Sequence, residues 1–175
     1  MDTILEQQCR AMEAVLKYDE IAFIFINDDI AYKNGLIIRP EWFRELFVPR
    51  MERLVAPARA KGKLLTFHTD GDLSQVIPIL VELGFAGVHP VEPAANDIYT
   101  LKAQYAGQIA LFGNIDTTLL AFGTPAEVEA DVRHHLDKLK AGGGYVLSSS
   151  SSLFDGIPFE NVVALIETVN RYGQY

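Results

Sequence analysis

Gly62-Lys63-Leu64-Leu65-Thr66-Phe67-His68-Thr69-Asp70-Gly71-Asp72 reads as one strand with its entry and its exit. The glycine turns the chain in, a short apolar β-rich run occupies residues 63–67, and polar groups crowd the positions just after it. Helical patterns flank this stretch on both sides, over residues 40–60 and 72–83. A strand set between helices, instead of beside other strands, implies a parallel sheet with helical crossovers.

The same unit recurs along the chain. Further β-rich runs cover residues 21–26, 85–91, 109–112 and 145–147, and helical patterns cover 97–106 and 158–172. The clearest helix start is Thr124-Pro125-Ala126-Glu127. There the Thr hydroxyl can cap the N–H of Glu127, Pro125 suits the first turn, and Glu127 can reach back. Val128, Val132, Leu136 and Leu139 then form an inner stripe. Gly62, Gly84, Gly107 and Gly142 each follow a helical segment, where a left-handed residue stops the helix and returns the chain to the sheet. Pro49 and Pro57 fall inside the 40–60 helix, which should be kinked or split by the missing donors. The expected fold class is α/β, five parallel strands alternating with helices. No linker or composition shift marks a boundary, so residues 1–175 read as a single domain.

Composition narrows the function classes. The 175 residues carry 15 Lys and Arg against 23 Asp and Glu, a net charge of −8, and 49% are apolar. A chain of this size can bury its own core without disulfides. The basic residues are scattered among acids, against the clustering that nucleic acid requires, so no nucleic-acid partner is expected. Cys9 is the single cysteine and lies in a helical segment, which excludes a disulfide framework. No basic leader opens the sequence and no apolar run reaches the ~20 residues of a membrane span. A cytoplasmic setting without membrane contact is therefore expected.

Every strand exit is polar. The five end in Asn27-Asp28-Asp29, His68-Thr69-Asp70, Val91-Glu92, Gly113-Asn114-Ile115-Asp116 and the serines at 148–152, while the entering turns are glycine-bearing and bland. Parallel α/β proteins build their sites at the carboxyl ends of strands, so this asymmetry marks the functional face. His68 and Asp70 are two residues apart and project to one side if the chain stays extended, which suits a divalent cation. Glu92 and Asp116 can add oxygen ligands from neighbouring exits. The alternative is that His68 bonds a backbone carbonyl while the carboxylates serve as helix caps and loop anchors. Of Asp28 and Asp29 at most one points inward, as general base or as partner of His68. The serines lack a G-x-S-x-G elbow and no glycine-rich loop follows a strand, so they read as small hydroxyls lining a pocket. His89 should face away from Glu92, His134 and His135 read as surface residues of a helix, and Met12, Met51 and Trp42 read as packing residues.

Taken together and in order, these motifs resemble the uroporphyrinogen decarboxylase superfamily, which includes cobalamin-dependent methyltransferases. The likeness is carried by Asn27-Asp28-Asp29-Ile30 through Asn34-Gly35-Leu36-Ile37-Ile38-Arg39-Pro40-Glu41-Trp42-Phe43, Phe67-His68-Thr69-Asp70-Gly71-Asp72, His89-Pro90-Val91-Glu92-Pro93, and Gly113-Asn114-Ile115-Asp116. Gly142-Gly143-Gly144-Tyr145, with Ile157-Pro158-Phe159-Glu160-Asn161 after it, completes the series. The resemblance implies a TIM-type (β/α)8 barrel, of which this chain looks like the C-terminal part, a partial barrel. In decarboxylase members the carboxylate-binding arginines and the central aspartate belong to the other half, and their late histidine is replaced here within the serine run. Zinc thiol-methyltransferase members use a His-x-Cys pair and a later Cys. His68 matches that histidine, while Asp70 and the serine run stand where the cysteines would be.

The resemblance implies methyl transfer between a small-molecule methyl donor and a corrinoid (cobalamin) on a partner protein. The expected site has His68, Asp29 and Asp116 as catalytic residues, Asn114, Ser149 and Ser150 as substrate-binding residues, and His68, Asp70 and Glu92 as ligands of a zinc ion. The alternatives are a uroporphyrinogen decarboxylase of porphyrin biosynthesis, for which only Lys33 and Arg39 lie near as cations, or an inactive partial barrel. An open barrel exposes apolar strand faces and unpaired edges, so a homo-oligomer or a complementing half-barrel chain is expected as partner.

Overall fold

The computed structural model describes residues 2–174. Helix α1 (Asp2–Val15) leads to β1 (Phe23–Asn27) and a small hairpin, β2 (Ala31–Tyr32) and β3 (Gly35–Leu36). Then come α2 (Pro40–Trp42), a π-helical stretch Phe43–Phe47, α3 (Val48–Ala60), β4 (Leu64–His68), α4 (Ile77–Glu82) and β5 (Gly87–His89). The chain continues through α5 (Ile98–Tyr105), β6 (Ala110–Ile115), α6 (Thr117–Phe122), α7 (Pro125–Leu139), β7 (Tyr145–Ser149) and α8 (Phe159–Tyr172). Five strands are ordered β1-β4-β5-β6-β7 in a parallel sheet that alternates with helices, the α/β arrangement of a partial TIM-type barrel. Two compact units divide the chain, Met1–Val88 and His89–Tyr175.

In the first unit, β1 and β4 pair in register from Phe23↔Leu64 to Asn27↔His68. One sheet face buries Ile26, Leu65 and Phe67, and Phe67 meets Phe47 and Phe85 edge to face at 6.0 and 5.4 Å. The other face leaves Phe23, Phe25 and Leu64 exposed. The 40–60 helix is neither broken nor simply kinked at its prolines. A π turn, in which Val48 N–H donates to Phe43 O, sits directly before Pro49, where the pyrrolidine ring has no donor for the carbonyl four residues back. Pro57 is accommodated inside α3. The β2/β3 hairpin has strands of two residues, too short to carry any hydrophobic period. Trp42 is 52% exposed under the Arg39 guanidinium, 5.1 Å from its ring centroid, and does not pack in the core as expected. Met12 and Met51 are buried, as expected.

The second unit buries Leu111, Ile115, Leu120, Val128, Val132 and Leu139. The Thr124 cap forms as the sequence implies: Glu127 N–H reaches Thr124 Oγ1 at 3.4 Å and Glu127 Oε2 accepts from Thr124 N–H at 2.8 Å. His135 is not a surface residue. It is 8% exposed on the buried stripe of α7, its Nδ1 is 2.8 Å from Asp131 O, and its ring lies 5.7 Å from that of Tyr99. The spacing Val128-Val132-His135-Leu136 already sets it on that face, because residues three and four apart share one side of a helix. Gly62, Gly84, Gly107 and Gly142 all take the left-handed conformation, with φ from +67 to +78°.

Candidate active site at the strand ends

The exits of β1 and β4 meet in the first unit. Asp28 N–H donates to His68 O at 3.1 Å, extending the ladder by one rung, and Asp70 N–H donates to Asp29 Oδ1 at 3.3 Å. A ligand atom from each of Asp29, His68 and Asp70 lies within 4.8 Å of the others. His68 is half-buried and the two carboxylates are exposed. The structure thus brings together three of the residues singled out from sequence.

Thr69 fastens the two exits. It is fully buried, and its Oγ1 accepts from Ile30 N–H at 3.0 Å and Ala31 N–H at 3.3 Å while donating to Asp70 O at 3.1 Å. The sequence reading missed this residue, although a small hydroxyl between two candidate ligands was a signal for it. Gly71 matters for a related reason. Its φ is +95°, and a Cβ there would sit 2.7 Å from Tyr32 N, so only glycine lets the β4 exit pass this close to the hairpin. Asp72 N–H then donates to Tyr32 O at 3.0 Å. It is Asp72, and not Asp70, that anchors the following turn, its Oδ1 accepting from Ser74 N–H at 2.8 Å.

The ambiguity between Asp28 and Asp29 resolves by alternation. Asp29 joins His68 and Asp70, whereas Asp28 lines a cleft of about 270 Å³ with Leu5, Phe47, Arg50 and Met51. Partial burial, and secondarily the Asp29 charge, raise the Asp28 carboxyl above its ordinary range.

The other expected site residues belong to the second unit. Glu92 is half-buried after β5 and opens a turn, its carbonyl accepting from Asn96 N–H at 2.9 Å. Asp116 is the N-cap of α6, with Oδ1 accepting from Thr118 N–H at 2.7 Å. Ser150 is buried, its Oγ accepting from Thr117 N–H at 3.3 Å, and Ser149 Oγ donates to Ser151 O at 2.7 Å. Asn114 is 5% exposed on β6 and pairs in register with Ser148 of β7.

One nitrogen and two carboxylate oxygens within reach of each other fit a borderline to hard divalent cation such as zinc. They do not fit a thiolate-rich zinc centre. The fold and this arrangement define an α/β protein of the barrel type whose polar site is carried on its strand ends. Residues 1–172 match the family model for uroporphyrinogen decarboxylase (URO-D), and the chain belongs to that family. Among curated proteins it is 30% identical over 149 residues to the uroporphyrinogen decarboxylase of Idiomarina loihiensis, covering 79% of this chain and 38% of the relative. It is 29% identical to that of Xylella fastidiosa, covering 78% and 40%. The chain therefore spans about two fifths of these relatives' length. Among solved structures, a methyltransferase from Methanosarcina mazei superposes with a TM-score of 0.75 at 21% identity, over 99% of this chain and 48% of that one. A B12-independent methionine synthase from Shewanella sp. W3-18-1 superposes with a TM-score of 0.60 at 15% identity, over 95% and 54%. These structural likenesses establish the fold. Among the described residues, no helix is long and apolar enough to cross a membrane.

Proposed function

We propose that this URO-D family chain carries a cation site formed by Asp29, His68 and Asp70 and serves methyl transfer between a small methyl donor and a corrinoid held by a partner protein. The observation that carries the reading is the convergence of these three side chains within 4.8 Å at the ends of β1 and β4. A bound divalent cation would supply Lewis acidity toward the donor's leaving oxygen or nitrogen. The chain's own contribution is positioning. Thr69 ties the loop carrying Asp29 to the strand carrying His68, and the Asp70 N–H orients Asp29 Oδ1. Zinc is the proposed cation; in the second unit Asp116 Oδ1 caps α6, and the backbone carbonyl of Glu92 accepts from Asn96 N–H.

The second reading is porphyrinogen decarboxylation, favoured by the names of the curated relatives. A polycarboxylate substrate needs cations, and the β1 exit offers Lys33 and Arg39 alone among the basic residues of that loop. For partners, the exposure of Phe23, Phe25 and Leu64 on one sheet face supports self-association or a complementing half-barrel chain.

Elemental analysis of the untagged protein tests the leading reading. Stoichiometric divalent metal in the wild type, lost in His68→Ala with the fold retained by circular dichroism, is the expected result. Metal-free wild type after incubation with zinc, or metal kept by the variant, would overturn it.

A further inference from the structure

Strand β1 has a neighbour on one edge only. Asp28 N–H donates to His68 O, so by alternation Ile26 and Ile24 also turn their bonding groups to β4. Phe23 and Asn27 turn theirs to the opposite edge, where no strand lies among the described residues. Edge strands are commonly guarded by charge or proline, and Phe23-Ile24-Phe25-Ile26-Asn27 carries neither.

A groove follows this edge between α1 and β1. Ile4, Gln8, Ala11 and Val15 recur at helical spacing on one side of α1 and line two cavities. The first, about 250 Å³, also takes in Met12, Leu54 and Ile24. The second, about 270 Å³, takes in Leu5, Phe47, Met51 and Asp28. Gln8 and Asn27 line both, so the two cavities adjoin along β1. Met12 and Leu54 form a buried floor, whereas Ile4 is 61% exposed on the rim.

The topology identifies what such a groove accommodates. In a parallel sheet the helix that leads into a strand lies over that strand and the neighbouring one, in a right-handed crossover. Helix α3 does this for β1 and β4. Helix α1 leads into β1 and thus covers β1 together with the position beyond its outer edge, and the two cavities are the room for helix-facing side chains of a strand set there. The Methanosarcina mazei fold superposes on 99% of this chain but is matched over only 48% of its own length, so it holds further polypeptide beyond these five strands. A second copy suits the position poorly. Pairing β1 with β1 across a two-fold axis brings both α1 helices over the same edge.

We propose that this groove receives an extended segment of a different polypeptide as an added strand parallel to β1, with apolar side chains at two alternate positions and Lys or Arg two residues further on. Main-chain hydrogen bonds to Phe23 and Asn27 supply affinity, and the cavities supply specificity. The apolar side chains lie beside Ile24 and Ile26 over Met12 and Leu54, and the cation reaches Asp28, which shares their face of the strand. Arg50 does not compete for that carboxylate, because its Nε donates to Asp2 Oδ1 at 2.9 Å and its Nη1 to Leu46 O at 2.8 Å. This deepens the proposed partnership with a complementing chain by locating its docking edge and stating its side-chain pattern, and rests on that reading for its meaning. Binding itself needs neither cation site nor corrinoid.

The test titrates the full-length, 15N-labelled chain with the peptide Ac-STVTLTKTS-NH2, in which valine, leucine and lysine share one face. Saturable shifts along β1 and slowed amide exchange at Phe23 and Asn27 are the expected result. Methylating the leucine nitrogen removes a main-chain donor and keeps every side chain, and should weaken binding at least about tenfold. Replacing the lysine by glutamate should weaken it at least about threefold in the wild type and not in Asp28→Asn. Ala11→Phe, which fills the first cavity from an exposed position of α1, should abolish it. No saturable shift up to about 1 mM peptide, equal binding of the methylated peptide, or unchanged binding by Ala11→Phe would overturn the proposal. So would protection of Phe23 and Asn27 that rises with protein concentration in the absence of peptide, which would assign the edge to a second copy. Each of these outcomes leaves the metal test at His68 undisturbed.

Discussion

Replacing Thr69 by valine keeps the volume of the side chain and removes its oxygen, which isolates the bonding role of this residue. Three hydrogen bonds end at that oxygen: from Ile30 N–H at 3.0 Å, from Ala31 N–H at 3.3 Å, and to Asp70 O at 3.1 Å. Ile30 and Ala31 are 8 and 4% exposed, so their N–H groups would have little access to water. An unsatisfied buried donor costs about 1–3 kcal/mol. The two donors share one acceptor and the second bond is long, so Thr69→Val should destabilise by about 2–4 kcal/mol, near the low end for two such groups. Against a typical total of about 5–15 kcal/mol, that is a readily measured loss. Thr69→Ser is the control. It keeps the oxygen and removes one buried methyl, worth about 1 kcal/mol. Urea unfolding followed by circular dichroism would separate the two at constant m-value. Because the same bonds hold the Asp29 loop against β4, Thr69→Val should also weaken zinc binding about tenfold by titration calorimetry, while Thr69→Ser leaves it close to wild type. Equal stability of the valine and serine variants, or wild-type zinc affinity in the valine variant, would refute the role assigned to Thr69.

Two further outcomes follow from the same region. Gly71→Ala forces a side chain onto φ +95° with its Cβ 2.7 Å from Tyr32 N, and should cost at least about 1–3 kcal/mol of unfolding free energy in urea melts, the range for strained backbone. Asp28 has a raised folded-state pKa, so the fold holds this proton more tightly than the unfolded chain does. Its contribution falls as pH climbs from the ordinary value of 3.8 through the folded value. Asp28→Asn should therefore be more stable than wild type at pH 7, by at most about 1 kcal/mol after solvent screening. The advantage should vanish in thermal melts well below pH 3.8.

What the sequence disclosed and what it withheld divide along physical lines. The alternation of β-rich runs with capped helices was legible because each signal is local: the Thr124 cap, the left-handed glycines and the strand runs need no knowledge of the rest of the chain. The β2/β3 hairpin was not legible, since two residues per strand carry no period and its contacts with Gly71 and Asp72 come from about forty residues away. The π turn before Pro49 was also hidden, because proline announces only that an α-helix loses a bond, and not whether the helix breaks or widens.

The site shows a further division. Strand ends could be located from sequence, but a carboxylate at a strand end looks the same whether it caps a helix or faces an imidazole. Asp116 and Asp29 make the point. Asp116 is followed by Thr117 and Thr118 at the start of α6, so its oxygen is drawn to the nearest backbone N–H, at 2.7 Å from Thr118. Asp29 has no helix behind it, because the chain enters the hairpin instead, and its oxygen finds Asp70 N–H on the neighbouring strand end. The element that follows thus decides whether a strand-end carboxylate is used by its own backbone or held beside the neighbouring exit. The carboxylates that precede irregular chain are accordingly the ones to mutate first, and here Asp29, Asp70 and Glu92 are among them, whereas Asp116 is not.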